Sequence, residues 1–530
     1  MAMENTSEVS DILSERCRQR FLNKPQPEID RASDCERRPY DRETNPKGFI
    51  RLSLSENHLC DDIIKEKLED PKHHVIESWM LQYCDNRGTL KLRQAVADYL
   101  TMKTKSSKPV SAEHISILNG AESVITTLTY IICDPGDGFL IPAPCYGGIN
   151  VGLTADMTRV GEVKPVYAYL QSQVNFDAGE KRPFQLTVDR LETALRKARD
   201  EGINVRGLFL INPHNPLGDI YPAEVIMDCL HFAHRNSLHV VIDEIYMGTI
   251  FKPDNSFTSV LNLHDLPDPQ RTHLIWGFSK DFGLAGFRCG VLHSKNSKLH
   301  EAVDYLAYFN VVSSHTQNLL AEFISDHEWI NNVFFPTNHQ RLRESHQCIS
   351  DGLTKLGIPH LHRSAGLFIW ADFRLYLPQP SFEEELSLER RFEKAGVGIS
   401  AGSRFDCGEP GWFRIVFAHP INVIETALER MGKVIEEIKK EICGDEFEAF
   451  KGLDGLCSGG FENVVAGSAA GLGSLIEGAV PGKDSDNLDD LVTLFQNQVK
   501  TSDWLRENTA EKWIQENEEL FAEYQAAANK

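Results

Sequence analysis

Apolar positions between residues 115 and 275 follow two alternating rhythms. Short runs rich in β-branched residues mark buried strands, and apolar residues at every third or fourth position mark helices. The runs at 115–118, 139–141, 205–211, 240–243 and 272–275 predict strands. Helical spacing over 120–132, 186–201 and 223–236 predicts the connections between them. The run at 240–242 reads as an interior parallel strand, since both of its faces must be buried. This alternation predicts an α/β fold with a doubly wound, mostly parallel sheet, whose ligands sit at the carboxyl ends of its strands. Residues 296–345 read mostly as helices. Residues 346–443 suit a smaller α+β unit, with strands at 366–371 and from 412 and a helix over 382–395.

The same pattern divides the chain. Residues 1–45 read as a short helix and an irregular, proline-containing arm, 46–330 as the large domain and 331–443 as the small one. Residues 444–530 change character: nine glycines between 452 and 482 predict a flexible linker. Leu488, Leu491, Val492, Phe495 and Val499 then form an apolar stripe at helical spacing, and a second acidic helical stretch follows over 502–527. Those faces are expected to dock on the body or to bind a protein partner.

Charge narrows the classes of partner. The 530 residues carry 55 basic and 77 acidic side chains, a net −22, which argues against nucleic acid or an anionic membrane surface. No apolar run approaches the roughly 18 residues needed to cross a bilayer. The first 25 residues hold no secretory core, and the twelve cysteines include no C-x-x-C pair, so reduced thiols, no metal and a cytoplasmic location are expected.

Candidate chemistry collects at the strand ends. Lys280 follows the run at 272–275, with Ser279 before it and Arg288 eight residues on. Such an amine can form a Schiff base with an aldehyde cofactor while the hydroxyl and guanidinium hold that cofactor's phosphate. Alone, a lysine after a strand is most often an exposed surface residue. Asn215, Asp243 and Tyr246 also fall at strand ends, and four polar residues there point to one site. Gly120, Ala121 and Glu122 open a helix after a strand, a natural phosphate cradle. Tyr146 can stack on a flat ring or sit in the core. Arg414, inside an apolar strand, must find an anion, either a structural carboxylate or a ligand's. Glu56 is an active-site carboxylate or a cap for the following helix; on pattern alone the cap leads.

These residues, in this order, resemble fold-type-I pyridoxal-phosphate enzymes of the class I/II aminotransferase superfamily. Ser55-Glu-Asn-His-Leu, Asn212-Pro-His-Asn-Pro-Leu-Gly, Asp243-Glu-Ile-Tyr, Ser279-Lys-Asp-Phe-Gly and Glu409-Pro-Gly-Trp-Phe-Arg are similar to 1-aminocyclopropane-1-carboxylate synthases. Arg182-Pro-Phe-Gln-Leu-Thr-Val and Pro267-Asp-Pro-Gln-Arg-Thr-His resemble the animal synthase-like branch. The likeness covers roughly residues 10–440. It implies that Lys280 links the cofactor and acts as the base at the substrate Cα. It further implies that Asp243 keeps the pyridine nitrogen protonated, and that Tyr246 and Asn215 hydrogen-bond the ring hydroxyl. Tyr146 would stack on the ring, and Arg288 and Ser279 would hold the phosphate beside Ala121 and Glu122. Arg414 would grip the substrate α-carboxylate, with Glu56 near the substrate. An amino-acid substrate and a homodimer with sites completed across the interface are implied as well.

The chain departs from that pattern at several points. The family's Asp-Tyr-His-Gly reads Asp85-Asn-Arg-Gly, which removes a tyrosine hydroxyl at Asn86. Its phosphate-loop Ala-Thr-Gly reads Ala121-Glu-Ser, and a phosphate-binding serine is replaced by Gly277. Cys145 and Gly147 flank Tyr146 where plant enzymes carry other residues. Three readings stay open: a lyase or deaminase type of enzyme, an aminotransferase, and a cofactor-binding protein with little catalysis and an interaction tail.

Overall fold

The computed structural model describes residues 39–146, 163–176, 180–252 and 257–443. The expected N-terminal helix, the glycine-rich linker and the acidic helical stretches lie outside the described residues.

The strands in chain order are β1 (Ile50–Arg51), β2 (Ile115–Leu118), β3 (Gly138–Ala143), β4 (Lys164–Tyr169), β5 (Val205–Ile211), β6 (His239–Asp243), β7 (Thr272–Gly277) and β8 (Gly290–Ser294). All but β1 form a seven-stranded sheet in the order β2-β8-β7-β6-β5-β3-β4. From β7 to β4 every pairing is parallel, whereas β8 runs antiparallel to both β2 and β7. Two members escaped the apolar pattern. β4 has exposed ends, and β8 is a short run closed by His293 and Ser294, so neither reads as an apolar stretch.

Strand side chains alternate between faces. Phe209, Val241, Ile275 and Leu292 share one apolar cluster, while Leu208, Leu210, Val240, Ile242, Leu274 and Val291 belong to another. Covering both faces requires helices on both, and these are α1 (Asp61–Leu68), α2 (Leu90–Thr104), α3 (Ala121–Ile132), α4 (Val188–Asp200), α5 (Ala223–Arg235), α6 (Phe278–Asp281), α7 (Ser297–Ala307) and α8 (Ser314–Ser325). Val124, Ile125 and Leu128 of α3 join Leu299 and Val303 of α7 on the first face; Leu191 and Leu195 of α4 join Ile226 and Leu230 of α5 on the other.

Beyond α9 (Phe335–Lys355) the chain builds a second sheet. It comprises β9 (Phe368–Asp372), β11 (Ser400–Ala401) and β12 (Trp412–Val416), antiparallel in the order β11-β12-β9. Helix α10 (Phe382–Lys394) precedes the two-residue strand β10 (Val397–Gly398), and α11 (Ile421–Cys443) closes the described chain. β1 pairs with β10 in parallel, Ile50 against Val397, as a separate two-stranded sheet, and the Val416 N–H of β12 donates to the Leu52 carbonyl, which ties the arm at residues 50–57 to the second sheet. Cys60, Cys84, Cys133, Cys145, Cys229, Cys289, Cys348 and Cys407 are free. No helix among the described residues is long and apolar enough to cross a membrane.

Candidate active site

Three adjacent parallel strands end side by side, and each end carries one of the expected polar residues. β6 ends at Asp243. Its backbone pairs with Ile211 of β5 on one side and Ile275 of β7 on the other. Asn215 follows β5 by four residues, Tyr246 follows β6 by three, and Lys280 sits on the single turn α6 after β7. Because β8 is antiparallel, its start lies at this same edge, which brings Arg288 to the others.

Asp243 is buried, and its Oδ1 accepts from the Ile245 N–H at 3.0 Å. Burial pushes its carboxyl up to about 7, and the nearby Lys280 opposes that shift. Lys280 donates from Nζ to the Ser55 carbonyl at 2.5 Å. Burial, then the neighbouring Arg414, lowers its amine to about 8. Lys280 is only partly exposed, unlike the usual surface lysine after a strand. The Tyr246 hydroxyl lies 3.0 Å from Ser55 Oγ; burial pushes its phenol up to about 12, with Arg414 acting in the opposite direction.

Arg414 is buried on β12, opposite Trp370 of β9. Nη1 donates to Asn215 Oδ1 at 3.0 Å and Nη2 to the Ser53 carbonyl at 2.6 Å, while Nε is buried without a partner. The guanidinium packs on the Phe405 and Phe368 rings, at 4.6 and 5.2 Å from their centres. Among the described residues it meets no carboxylate. The structural-carboxylate alternative is thus overturned: two neutral carbonyls and two aromatic faces hold a charge that nothing in the described chain neutralises.

Glu56 does not cap a helix, which corrects the reading from pattern. α1 begins five residues later, behind Cys60, with no side-chain cap. The Glu56 carboxylate instead lies 3.5 Å from His58 Nε2. His58 chiefly, with Lys280 contributing, holds its carboxyl below the usual range. Asp61 and then Glu56 raise His58 to about 9. Tyr146 is half-buried rather than a core aromatic, and its hydroxyl donates to Glu122 Oε1 at 3.0 Å.

The opening of α3 packs against the start of β8. A Cβ on Gly290 would come within 2.3 Å of the Gly120 carbonyl carbon, so two main chains touch there and only glycine fits. Gly120 has φ +90°, and a Cβ on it would reach 2.8 Å from Arg288 Nη2. The Arg288 guanidinium is thus held against the N-terminus of α3, with Ala121 in its first turn and buried Ser279 on α6. Glu122 Oε2 lies 3.6 Å from Arg288 Nη2.

The family profile for aminotransferase class I and II matches residues 50–431. The chain belongs to that family. The 1-aminocyclopropane-1-carboxylate synthase-like protein 1 of Bos taurus is 45% identical over 75% of this chain and 78% of its own. A Homo sapiens relative named probable inactive 1-aminocyclopropane-1-carboxylate synthase-like protein 2 is 43% identical over 77% of this chain and 71% of its own. Aspartate aminotransferase from Thermus thermophilus, solved with maleate, shares the fold: TM-score 0.63, 20% identity, 80% of this chain and 99% of that one. The expected fold type is therefore borne out, and the chain is a class I/II pyridoxal-phosphate-dependent enzyme with pyridoxal phosphate as its cofactor.

The residues of this aminotransferase-family site fit that cofactor at the ring end. A lysine amine and a buried carboxylate, with one hydrogen-bond donor among the described residues, meet the needs of an aldehyde and a protonated ring nitrogen. At the phosphate end the fit is mixed, since Arg288 and the α3 N-terminus attract an anion but Glu122 stands among them as one. Two contributors escaped the sequence reading. Ser55 lies in a quoted motif, yet nothing marked its hydroxyl as the partner of Tyr246. The Ser53 carbonyl is main chain and carries no sequence signal.

Proposed function

We propose that this enzyme removes the Cα proton of a small or sulfur-bearing amino acid and lets the resulting anion eliminate or rearrange. Cyclopropane formation from S-adenosylmethionine is weak or absent. The observation that carries this reading is Arg414, a buried guanidinium without a carboxylate partner, ready to take the substrate α-carboxylate bidentately. When bound, the cofactor supplies an electron sink for the carbanion. Lys280 then moves the proton, Asp243 stabilises the ring charge, Tyr246 and Asn215 serve the ring hydroxyl, and Asn215 Oδ1 also steadies the Arg414 guanidinium.

Ring closure demands that Cα attack the γ-carbon in line, and a misplacement of about 1 Å costs on the order of a hundredfold. Asn86 supports the weaker outcome: where the family offers a tyrosine hydroxyl, it presents an amide 3.4 Å from the Asp304 carbonyl. Offered vinylglycine and S-adenosylmethionine in parallel, the enzyme is expected to give 2-oxobutanoate from the first and little cyclopropane product from the second. Vinylglycine loses a proton at Cα, gains one at Cγ, and water then releases ammonia. Borohydride reduction followed by peptide mapping is expected to find the cofactor on Lys280. Efficient cyclopropane production without 2-oxobutanoate would falsify the reaction assignment. Product that appears only when a 2-oxo acid is added would favour the aminotransferase reading.

The working unit in this reading is a homodimer. Leu81, Tyr83, Tyr305, Tyr308 and Phe309 are large, apolar and exposed, with Tyr83 and Phe309 at 102% and 81%. They flank the site, since Asn86 reaches Asp304 and the Asn119 N–H donates to the Asn310 carbonyl next to Gly120. An exposed apolar patch of this kind marks an interface. Light scattering is expected to give twice the chain mass for the parent and a monomer for Phe309→Glu. A parent that stays monomeric at tens of micromolar retires the dimer.

A further inference from the structure

The phosphate end of the site holds a feature that pyridoxal-phosphate binding alone does not require. Glu122 lies in the first turn of α3, and its carboxylate faces Arg288 while accepting from the Tyr146 hydroxyl. An acidic residue in a first turn is often only a helix stabiliser, because it complements the dipole. That role needs no partner, and it does not explain why both oxygens are engaged by two residues from other parts of the chain. Beside buried Ser279, two other positions that could offer the phosphate a hydroxyl do not. Ser123 Oγ donates to the Asn119 carbonyl at 2.9 Å. At Gly277 a Cβ would meet the Cys289 carbonyl at 3.0 Å, so a serine there would be crowded.

We propose that Glu122 is a tethered anion occupying the place of the cofactor's phosphate. A bound phosphate must displace it from Arg288, and the site distinguishes little between pyridoxal phosphate and the unphosphorylated aldehyde pyridoxal. The inference rests on the assignment of Lys280 as the cofactor-linking amine. Arg288 supplies one positive charge, and the Glu122 carboxylate already faces it at 3.6 Å, both side chains being about half exposed. A dianion entering the cup gains the helix N-terminus but meets a carboxylate within a few ångström. One such contact between like charges, weighed between water-like and protein-surface screening, is worth about tenfold in affinity or more. Pyridoxal carries no phosphate and escapes this penalty, so its binding depends on Lys280 and the ring contacts.

The test measures dissociation constants for both aldehydes, by absorbance of the bound form, in the full chain and in two variants. Glu122→Gln keeps an acceptor for Tyr146 and removes the charge; Glu122→Thr removes charge and bulk together, and serves if the glutamine variant folds poorly. The parent is expected to prefer pyridoxal phosphate over pyridoxal by less than about tenfold. Each variant is expected to raise that preference at least tenfold by tightening the phosphorylated aldehyde while pyridoxal stays within threefold. Inorganic phosphate at millimolar concentration is expected to raise the melting temperature of the variants more than that of the parent. A preference ratio that stays within threefold of the parent, or falls, overturns the proposal. Borohydride mapping on the same samples separates the two levels: an adduct away from Lys280 sinks the site assignment, whereas a Lys280 adduct with an unchanged ratio sinks only the role of Glu122.

Discussion

Lys280→Ala is expected to lower turnover by about four orders of magnitude, the upper range for losing a positioned proton-transfer group. In the proposed reaction the side chain has two tasks at one atom, linking the cofactor and moving the Cα proton. Both need the neutral amine. In water a lysine is almost wholly protonated at pH 8, but burial and then the Arg414 charge bring Lys280 down to about 8. The sign is therefore definite: as pH rises from 7 to 9 the neutral fraction grows steeply, and the rate of cofactor attachment to the free enzyme should climb with it. Stopped-flow absorbance across that range checks the pH dependence, and single-turnover kinetics of the alanine variant, with and without added methylamine, check the magnitude. Turnover within tenfold of the parent would move the base to another residue.

Asp243→Asn should leave the cofactor bound within about tenfold and slow proton abstraction by roughly two to three orders of magnitude, the size typical for one buried electrostatic stabiliser. Burial, opposed by the Ile245 N–H and by Lys280, leaves this carboxyl at about 7, so a cation facing it would strengthen its charged form at neutral pH. A protonated ring nitrogen would be such a cation, and each would hold the other's charge. Asparagine keeps the shape and the acceptor toward the Ile245 N–H but cannot hold the cation. The readout is the deuterium isotope effect on kcat with Cα-labelled substrate, which should rise as abstraction becomes rate-limiting. An asparagine variant with the parent's kcat and isotope effect would show that Asp243 has no part in the electron sink.

Much of this arrangement was legible in the sequence for a simple reason. Toward their carboxyl ends β5, β6 and β7 are buried on both faces, so the runs at 208–211, 240–242 and 274–276 are apolar up to the point where polar residues resume. Asp243, Tyr246, Asn215 and Lys280 could be placed at one edge from that alone. What depended on a partner across space could not. Glu56 resembled a cap because Ser-Glu-Asn before a helix usually is one, yet α1 starts only at Asp61. Arg414 was expected to face a carboxylate or a ligand, and the main-chain acceptor it found leaves no trace in side-chain identity. The pairing of Glu122 with Arg288 requires β8 to run backwards between β2 and β7. Its residues, Gly290–Ser294, are too few and too polar at the end to announce a strand.

The arm from residue 50 to 57 presents the carbonyls of Ser53 and Ser55 to Arg414 and Lys280. A carbonyl belongs to every residue type, so alanine scanning along the arm would pass over both contacts in silence. Only an alteration of the main-chain path, such as a proline, an inserted residue or a weakened β1–β10 pairing, would disturb them. For anyone wishing to retune this enzyme, the arm is thus a length to be adjusted rather than a set of side chains to be exchanged.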